Sequence, residues 1–277
     1  MKIAQLQTHV YPEKQRSLAQ VEAYMDKVMP EKPDLVALGE MFQCPYVTQN
    51  FPLYAEEEGG DTWQRLSQLA AKHQVYLSAG TVPELDGGKV YNTAYVFDRQ
   101  GRQIAKHRKV HLFDIDVEGG QSFKESDTLS AGNQVTVFDT EFGKIGICVC
   151  FDFRFPELGR LMALKGAKLI LVPAAFNMTT GPAHWQIMFR SQALNNQCFV
   201  AGTSPARDEA SSYVAWGHSL LVSPWGDIIK EAGEKEGFQI TEIDLSEADR
   251  IRSQLPLLSA RRTDVYTLKC AEDTDAL

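Results

Sequence analysis

Residues 144–157 pass from an apolar run to the predicted start of a helix, and they read Lys-Ile-Gly-Ile-Cys-Val-Cys-Phe-Asp-Phe-Arg-Phe-Pro-Glu. Cys150 ends the apolar part, and Pro156 suits the first position of a helix. A thiol at such a turn lies near unpaired N–H groups and the positive end of the helix, and both lower a thiol pKa that is ordinarily about 8.5. Cys150 is therefore a candidate nucleophile, although a free cysteine is usually a small buried hydrophobe. Its position alone leaves both interpretations open.

Short strands and helices alternate on both sides of this run. Strands are predicted at 3–8, 35–39, 75–81, 90–98, 103–107, 136–140, 144–150, 169–173, 198–203, 216–223, 228–231 and 238–243. Helices are predicted at 13–29, 62–73, 156–165 and 186–195. Hairpin turns are predicted at Arg99-Gln100-Gly101, Glu141-Phe142-Gly143 and Pro224-Trp225-Gly226-Asp227. Helix–strand crossovers interleaved with hairpins are typical of an α/β fold in which helices cover mixed sheets, and the number of strands fits two sheets packed together.

The composition is that of one globular domain. The chain has 277 residues and a formal net charge of −8, so a general nucleic-acid footprint is not expected. No run of about 18 apolar residues predicts a membrane span, and residues 1–6 indicate a strand start and not a signal peptide. The domain is assigned to residues 1–268, and the polar residues 269–277 to a tail. An odd number of cysteines and no secretory signal argue against a disulfide framework and favour a reducing, cytoplasmic location.

Three further positions bear on the chemistry. Glu40 follows the apolar run 35–39, where a buried acid needs a partner or a role, and a solvated position past the strand end is the alternative. A buried carboxylate there could accept a thiol proton near neutral pH. Lys109 belongs to the basic run Lys106-His107-Arg108-Lys109, a pattern otherwise typical of a solvated edge. Cys148 lies inside the strand and is interpreted as core, and because no second Cys/His pair has zinc spacing, no metal is predicted.

Three motifs, taken in order, resemble the nitrilase superfamily of carbon–nitrogen hydrolases. They are Gly39-Glu40, Arg108-Lys109-Val110-His111-Leu112-Phe113 and Gly146-Ile147-Cys148-Val149-Cys150-Phe151-Asp152. Within the superfamily, the chain is most similar to the ω-amidase, or Nit2-like, group. The stretches that carry this similarity are HLFDIDV at 111–117, FKES at 123–126, FNMTTGPAHW at 176–185, SPARD at 204–208 and YVAWGHS at 213–219. The resemblance covers essentially the whole chain up to residue 268.

The resemblance implies a four-layer α-β-β-α sandwich that usually dimerises. It implies a triad of Glu40, Lys109 and Cys150, with Glu125 as an additional active-site glutamate, although local evidence makes Glu125 an ordinary polar loop residue. The register of the motif places the nucleophile at Cys150 and not at Cys148. The implied partners are a small-molecule amide substrate and a second copy of the chain, while no cofactor, metal, nucleic acid or membrane is implied.

The implied mechanism is amide hydrolysis through a thioester. Cys150 attacks the carbonyl carbon, Glu40 passes the thiol proton to departing ammonia, and Lys109 holds the oxyanion together with the backbone N–H of Phe151. The implied substrates are ω-amides of α-keto dicarboxylates, such as 2-oxoglutaramate and 2-oxosuccinamate, whose far carboxylate needs a cationic or hydrogen-bonding clamp. Candidates for that clamp are Tyr46, Arg154, Thr179 and Thr180. A structural ion pair is the alternative role of Arg154.

Other functions stay open at this stage. Nitrile hydrolysis is one, but a tryptophan commonly follows the nucleophile in that branch, and here the residue is Phe151. Hydrolysis of deaminated glutathione or of N-carbamoyl amines is closer, although residues 113–117 and 177–180 favour ω-amidase. A degenerate dimeric scaffold is the non-enzymatic alternative, which the four intact active-site positions oppose. Oxidation of an activated thiol is interpreted as inactivation. Three histidines are interpreted as structural polar groups, because Glu40 is the base: His111, His184 and His218.

Overall fold

The chain folds into two large mixed β-sheets and one small hairpin sheet in a computed structural model that describes residues 1–271. The strands are β1 (Lys2–Gln7), β2 (Leu35–Leu38), β3 (Tyr76–Ser78), β4 (Val82–Asp86), β5 (Lys89–Phe97), β6 (Gln103–Arg108), β7 (Asp114–Asp116), β8 (Ser122–Lys124), β9 (Thr136–Thr140), β10 (Gly143–Ile147), β11 (Leu169–Pro173), β12 (Phe199–Thr203), β13 (Leu220–Val222), β14 (Ile228–Glu231) and β15 (Gly237–Glu242). The helices are α1 (Lys14–Val28), α2 (Asn50–Tyr54), α3 (Asp61–His73), α4 (Pro156–Leu164), α5 (Gly181–Asn196) and α6 (Ser246–Gln254). Short 3-10 turns span Met29–Glu31, Glu125–Asp127 and Cys150–Arg154.

Parallel strands form the centre of each large sheet. The first sheet has the order β15-β1-β2-β3-β5-β4, with β6 also paired to β5, and its strands β1, β2 and β3 are parallel. The second has the order β14-β13-β12-β11-β10-β9, and its strands β10, β11 and β12 are parallel. The carboxyl ends of parallel strands share one edge of a sheet, so the loops that follow β2, β10 and β11 leave from such edges.

The two sheets pack face to face between two layers of helices. Side chains alternate along β2: Val36 and Leu38 pack with α1 and α3, while Leu35 and Ala37 join the core shared with the second sheet. On the far side of the second sheet, α4 and α5 lie directly over glycines. A Cβ on Gly146 would lie 2.8 Å from Met162 Sδ of α4. The result is a four-layer α-β-β-α sandwich.

This architecture confirms the predicted α/β sandwich, and the three predicted hairpins are present as β5–β6, β9–β10 and β13–β14. Some predicted boundaries are wrong. The single strand predicted at 75–81 is split by a left-handed turn at Gly80, whose φ is +59°, and β4 follows it. Strand β10 ends at Ile147, so Cys150 lies in a 3-10 turn beyond the strand. Strand β13 is shorter than the predicted run 216–223, and helix α5 begins five residues before the predicted start at 186.

Several elements have no counterpart in the prediction. They are α2, α6, β4 and the hairpin β7–β8. Of the predicted polar tail, residues 272–277 lie outside the described residues, whereas Cys270 is buried. No helix within residues 1–271 is long and apolar enough to cross a membrane.

Candidate active site

Four polar residues from four separate segments meet between the two sheets. Glu40 follows β2, Lys109 directly follows β6, Glu125 begins the 3-10 turn after β8, and Cys150 begins the 3-10 turn after β10. The side chains of Glu40, Lys109 and Glu125 are fully buried, and Cys150 is 5 % exposed. The solvated alternative for Glu40 is therefore wrong, and Glu125 is not an ordinary surface loop residue.

The Lys109 ammonium lies at the centre of this cluster. Its Nζ donates to Glu40 Oε1 at 2.9 Å, to Glu125 Oε1 at 2.9 Å and to the Tyr46 hydroxyl at 3.2 Å. These three bonds use all the protons of an ammonium group. Burial lowers the pKa of Lys109, but the charges of Glu125 and Glu40 outweigh burial and raise it above its ordinary value. The lysine therefore stays a fixed positive charge.

The Glu40 carboxylate is held at both oxygens. Oε1 accepts from Asn92 Nδ2 at 2.9 Å and from Lys109, and Oε2 accepts from the N–H of Ala175 at 2.8 Å. Asn92 belongs to β5 in the first sheet, whereas Ala175 follows β11 in the second. The carboxylate thus joins the two sheets, and it has no freedom to turn away from Cys150.

The pKa of the Cys150 thiol is raised, which corrects the prediction of a lowered pKa. Burial raises its pKa well above the ordinary value, Glu40 raises it further, and Lys109 opposes the effect. The helix end was predicted to lower the thiol pKa, but the thiol lies in the interior, where burial has the larger and opposite effect. Cys150 also has a φ of +46°, a left-handed conformation that costs a non-glycine residue free energy and is typical of functional turns.

Glu125 is the second carboxylate on Lys109. Its Oε2 accepts from the N–H of Phe113 at 2.6 Å, and its Oε1 accepts from Lys109 and from the Tyr46 hydroxyl. Burial raises the pKa of Glu125, Lys109 lowers it, Glu40 raises it, and the net direction is upward. Two carboxylates thus share one ammonium.

A sulfur, a carboxylate and an ammonium in contact between two sheets are the parts that an amide hydrolase needs. The sequence profile of the carbon-nitrogen hydrolase family matches residues 2–253. The chain belongs to the carbon–nitrogen hydrolases of the nitrilase superfamily. It is 47 % identical over 268 residues to a Xenopus tropicalis protein named omega-amidase NIT2, and 42 % identical over 268 residues to the human protein of that name, in both cases over 97 % of each chain. The crystal structure of Saccharomyces cerevisiae Nit3, a member of branch 10 of the nitrilase superfamily, matches 95 % of this chain and 96 % of its own with a TM-score of 0.87 and 41 % identity.

Two predicted groups of this carbon–nitrogen hydrolase near Cys150 carry N–H donors that bond to no acceptor within residues 1–271. The N–H of Phe151 precedes the first hydrogen bond of the 3-10 turn, which runs from Asp152 N–H to Val149 O. The half-buried Arg154 makes no ion pair with any carboxylate of residues 1–271. Its guanidinium stacks 4.7 Å from the Phe176 ring centre and lies 3.1 Å from His184 Nδ1. Burial lowers the pKa of Arg154 and the nearby Cys150 raises it.

The other three predicted clamp residues take part in hydrogen bonds with other residues of the chain. The Tyr46 hydroxyl donates its one proton to Glu40 Oε1 at 3.0 Å or to Glu125. It is therefore hydrogen-bonded to the carboxylates of the site in the free protein. The Thr180 hydroxyl donates to Asn177 Oδ1 at 3.0 Å, and the Thr179 N–H donates to the same atom at 3.1 Å. Among the described residues, no hydrogen bond joins either threonine to the triad. They shape the start of α5.

The space beside the triad is small. Glu40, Tyr46 and Ala175 border a cavity of about 30 Å³, and Cys150 is not among its lining residues. A larger cavity of about 430 Å³ lies on the outer side of Tyr46 and Tyr213 and is lined by residues of β8.

Sequence reasoning missed the groups that hold the triad. Asn92 and the Ala175 N–H fix Glu40, and the hydroxyl of Tyr213 donates to Ala175 O at 2.6 Å. The one available signal was Asn92, a polar residue inside the apolar strand β5. Within residues 1–271, no group of three His, Cys, Asp or Glu side chains could hold a metal ion.

Proposed function

We propose that this carbon–nitrogen hydrolase is an ω-amidase that converts 2-oxoglutaramate and 2-oxosuccinamate to the dicarboxylates and ammonia. The observation that carries the proposal is the buried contact of Lys109 Nζ with Glu40 Oε1 at 2.9 Å, with both groups acting on the Cys150 thiol. The relatives named omega-amidase support the substrate class, since they match nearly the full chain.

The reaction proceeds through a thioester. The Cys150 sulfur forms a bond to the amide carbon while Glu40 takes the thiol proton, which suits a thiol that is protonated until substrate arrives. The tetrahedral oxygen takes its negative charge next to Lys109 and the unused N–H of Phe151. Glu40 then delivers the proton to nitrogen, and the C–N bond breaks to release ammonia. Water, deprotonated by Glu40, next attacks the thioester, and the C–S bond breaks to release the acid and restore the thiol.

Arg154 is the proposed partner of the substrate's far carboxylate. A half-buried guanidinium without a carboxylate partner in residues 1–271 holds desolvated charge that an anion can satisfy. The stacking on Phe176 fixes the plane of the guanidinium. Of the four clamp residues predicted from the sequence, Arg154 is the one that carries a positive charge.

The direct test is ammonia release from 2-oxoglutaramate by the wild type, Cys150→Ala and Cys148→Ala. Cys148 is a matched control because it is a fully buried thiol two residues away, on the same motif. We expect turnover in the wild type and in Cys148→Ala and none in Cys150→Ala. Absence of turnover in all three, with the chain folded, would refute the proposal.

Competing reactions are separated by a substrate panel read together with mass spectrometry. Deaminated glutathione, an N-carbamoyl amine and a nitrile are compared with 2-oxoglutaramate at equal concentration. The ω-amidase proposal expects the highest kcat/KM for 2-oxoglutaramate and a substrate-derived adduct on the Cys150 peptide. An unmodified thiol with every substrate would favour the scaffold alternative.

We also propose that the domain extends over residues 1–268, that it forms a homodimer and that it acts in the cytoplasm. The dimer is supported by apolar side chains on the surface around α5, where Ile187 is 68 % exposed and Trp225 is 54 % exposed. The location is supported by the five cysteines, all of which are free thiols, since proteins of oxidising compartments commonly pair their cysteines in disulfides.

A further inference from the structure

One buried carboxylate outside the triad collects five hydrogen-bond donors. Asp152 Oδ1 accepts from the N–H of Val110 at 3.0 Å, from the N–H of His111 at 2.7 Å and from His111 Nδ1 at 2.9 Å. Asp152 Oδ2 accepts from the N–H of Val149 at 3.0 Å and from His107 Nε2 at 3.0 Å. A carboxylate can only accept, so both imidazoles donate to it.

These donors come from the two segments that carry the reacting groups. Val149 immediately precedes Cys150, while Val110 and His111 immediately follow Lys109. Asp152 therefore ties the backbone beside the nucleophile to the backbone beside the ammonium with one rigid group. This link adds to the contact between His107 Nδ1 and Thr136 Oγ1 at 3.0 Å, which also joins the two sheets, and it is the one that reaches the residues adjoining both Cys150 and Lys109.

The link also holds a strained conformation. Cys150 has a φ of +46°, and such a residue relaxes unless neighbouring contacts fix it. The Asp152 carboxylate accepts from the N–H of Val149, and the Asp152 N–H donates to the carbonyl of Val149 at 2.9 Å. The turn is closed from both sides, so the direction of the Cys150 side chain depends on Asp152.

The side chain of Asp152 is a carboxylate at neutral pH. Burial opposes its ionisation, but hydrogen bonds from His107 and His111 outweigh burial and hold the pKa of Asp152 well below its usual range. An amide of the same shape would present an N–H group to one set of these donors, which would break at least one of the two ties.

We propose that Asp152 is a positioning residue, whose carboxylate sets the Cys150 thiol against the Lys109 ammonium and thereby sets the rate of thioester formation. The proposal rests on the proposed function, because thioester formation is the step it concerns. Misplacement of reacting groups by about 1 Å can cost about 10²-fold in rate, so the effect should appear in kcat and not in substrate binding.

The test compares Asp152→Asn with Asp98→Asn. Asp98 is a buried carboxylate that accepts from the N–H groups of Gln100 and Arg102 at 2.8 and 3.0 Å, in the β5–β6 turn. It lies six residues along the chain from Asn92, about 20 Å at the rise of a strand. We expect kcat to fall about 10²-fold in Asp152→Asn with KM within about threefold of the wild type. We expect Asp98→Asn to lose stability with kcat retained.

A second variant tests the proposal in case Asp152→Asn does not fold. His111→Phe keeps the stacking on Phe155, whose ring centre lies 3.7 Å away, and removes one hydrogen bond to Asp152. We expect kcat about three- to tenfold lower at unchanged KM, which corresponds to the loss of about one hydrogen bond. The proposal is overturned if kcat stays within twofold of the wild type in Asp152→Asn, or in His111→Phe where Asp152→Asn does not fold.

A readout without substrate turnover separates this proposal from the ω-amidase assignment. The rate at which 2-chloroacetamide alkylates Cys150 is measured in the wild type, Asp152→Asn and Asp98→Asn. We expect at least tenfold slower alkylation in Asp152→Asn alone, even if 2-oxoglutaramate is not a substrate. Equal alkylation rates in all three proteins would refute the positioning role and leave the ω-amidase assignment intact.

Discussion

Two carboxylates and one ammonium in a closed interior set the acid–base behaviour of the triad. Lys109 Nζ lies 2.9 Å from both Glu40 Oε1 and Glu125 Oε1, so the pair carries excess negative charge where solvent does not screen it. Burial and Glu40 raise the pKa of Glu125. Glu125 therefore takes up a proton at a higher pH than an ordinary glutamate does as the pH falls.

Glu125→Gln should weaken turnover and move the acid limb of kcat/KM to lower pH. The wild type is expected to be active while Glu125 is ionised and to lose activity as the pH falls through the pKa of Glu125, which is raised above the ordinary 4.5. Glutamine cannot take up this proton, so the acid limb caused by Glu125 is lost. The substitution also weakens a charge-assisted bond to Lys109, which is worth about tenfold or more in rate. A pH–rate profile from pH 4 to 9 measures both effects. An unchanged limb together with wild-type kcat would remove Glu125 from the mechanism.

Arg154→Gln should separate recognition of the carboxylate from the chemical step. Loss of a charge-assisted contact of about 2–3 kcal/mol predicts a KM for 2-oxoglutaramate about 30- to 150-fold higher. Hydrolysis of an aliphatic amide of equal length without the carboxylate should change less than threefold. Arg160→Gln, which alters a half-buried arginine on α4, is the control and should leave both substrates unaffected. Equal losses on both substrates would show that Arg154 supports the fold of the site.

Local sequence could identify single residues of the site but not their contacts. Glu40 and Cys150 were recognisable because each follows an apolar run, where a polar group is costly. Glu125 had no such signal, since its burial is created by Phe113, Lys109 and Tyr46 from other segments. The raised thiol pKa was missed for the same reason: the distant Glu40 and the surrounding interior act on Cys150 more strongly than the adjacent turn does.

At the scale of elements, the site depends on how closely β2 approaches the end of β12. Gly39 follows β2, and a Cβ at that position would lie 2.8 Å from Pro205 N and 2.9 Å from the Ser204 carbonyl carbon. Pro205 N and the Ser204 carbonyl carbon are backbone atoms, so neither can move away without a shift of the main chain. The glycine is thus needed for contact between the two sheets, immediately before Glu40.

Gly39→Ala should cost both stability and activity. Overpacking predicts a loss of about 1–3 kcal/mol in the free energy of unfolding, and a shift of Glu40 predicts at least a tenfold lower kcat. Urea unfolding and ammonia release measure the two effects. Gly237→Ala is the control, because nothing lies within 4 Å of a Cβ there and the residue is also outside the left-handed region. If Gly39→Ala retains wild-type kcat, the close approach does not position Glu40.

The predictable elements were those with a strong local pattern. The turns at Gly101, Gly143 and Gly226 mark hairpins because glycine adopts the positive φ found at each of them. Helix α6 escaped prediction because it buries only Ala248 and Ile251, too few apolar positions to form a periodic stripe. Strand β4 contains Pro83, which disfavours a strand assignment except at an edge.

Over the whole molecule, the sandwich leaves one helix layer with an apolar surface. A cavity of about 610 Å³ on α5 is bordered by Ile187, Leu194, Trp216 and Trp225. Three of these side chains are among the large apolar residues exposed to solvent. Apolar surface on a single chain commonly marks an interface. This helix layer covers β10 and β12, and Cys150 and Ser204 lie in the segments that follow these strands.

The proposed homodimer should therefore dissociate when this layer becomes charged. Ile187→Glu places a carboxylate where a second copy would bury an apolar side chain, and an unpaired buried charge is strongly unfavourable. Sedimentation should give a dimer for the wild type and a monomer for Ile187→Glu. Leu53→Glu is the control. Leu53 on α2 is 79 % exposed, more than Ile187, but α2 packs beside β4 of the first sheet, away from α5. A wild type that sediments as a monomer would refute the dimer, and a dimer that survives Ile187→Glu would place its interface on another face of the sandwich.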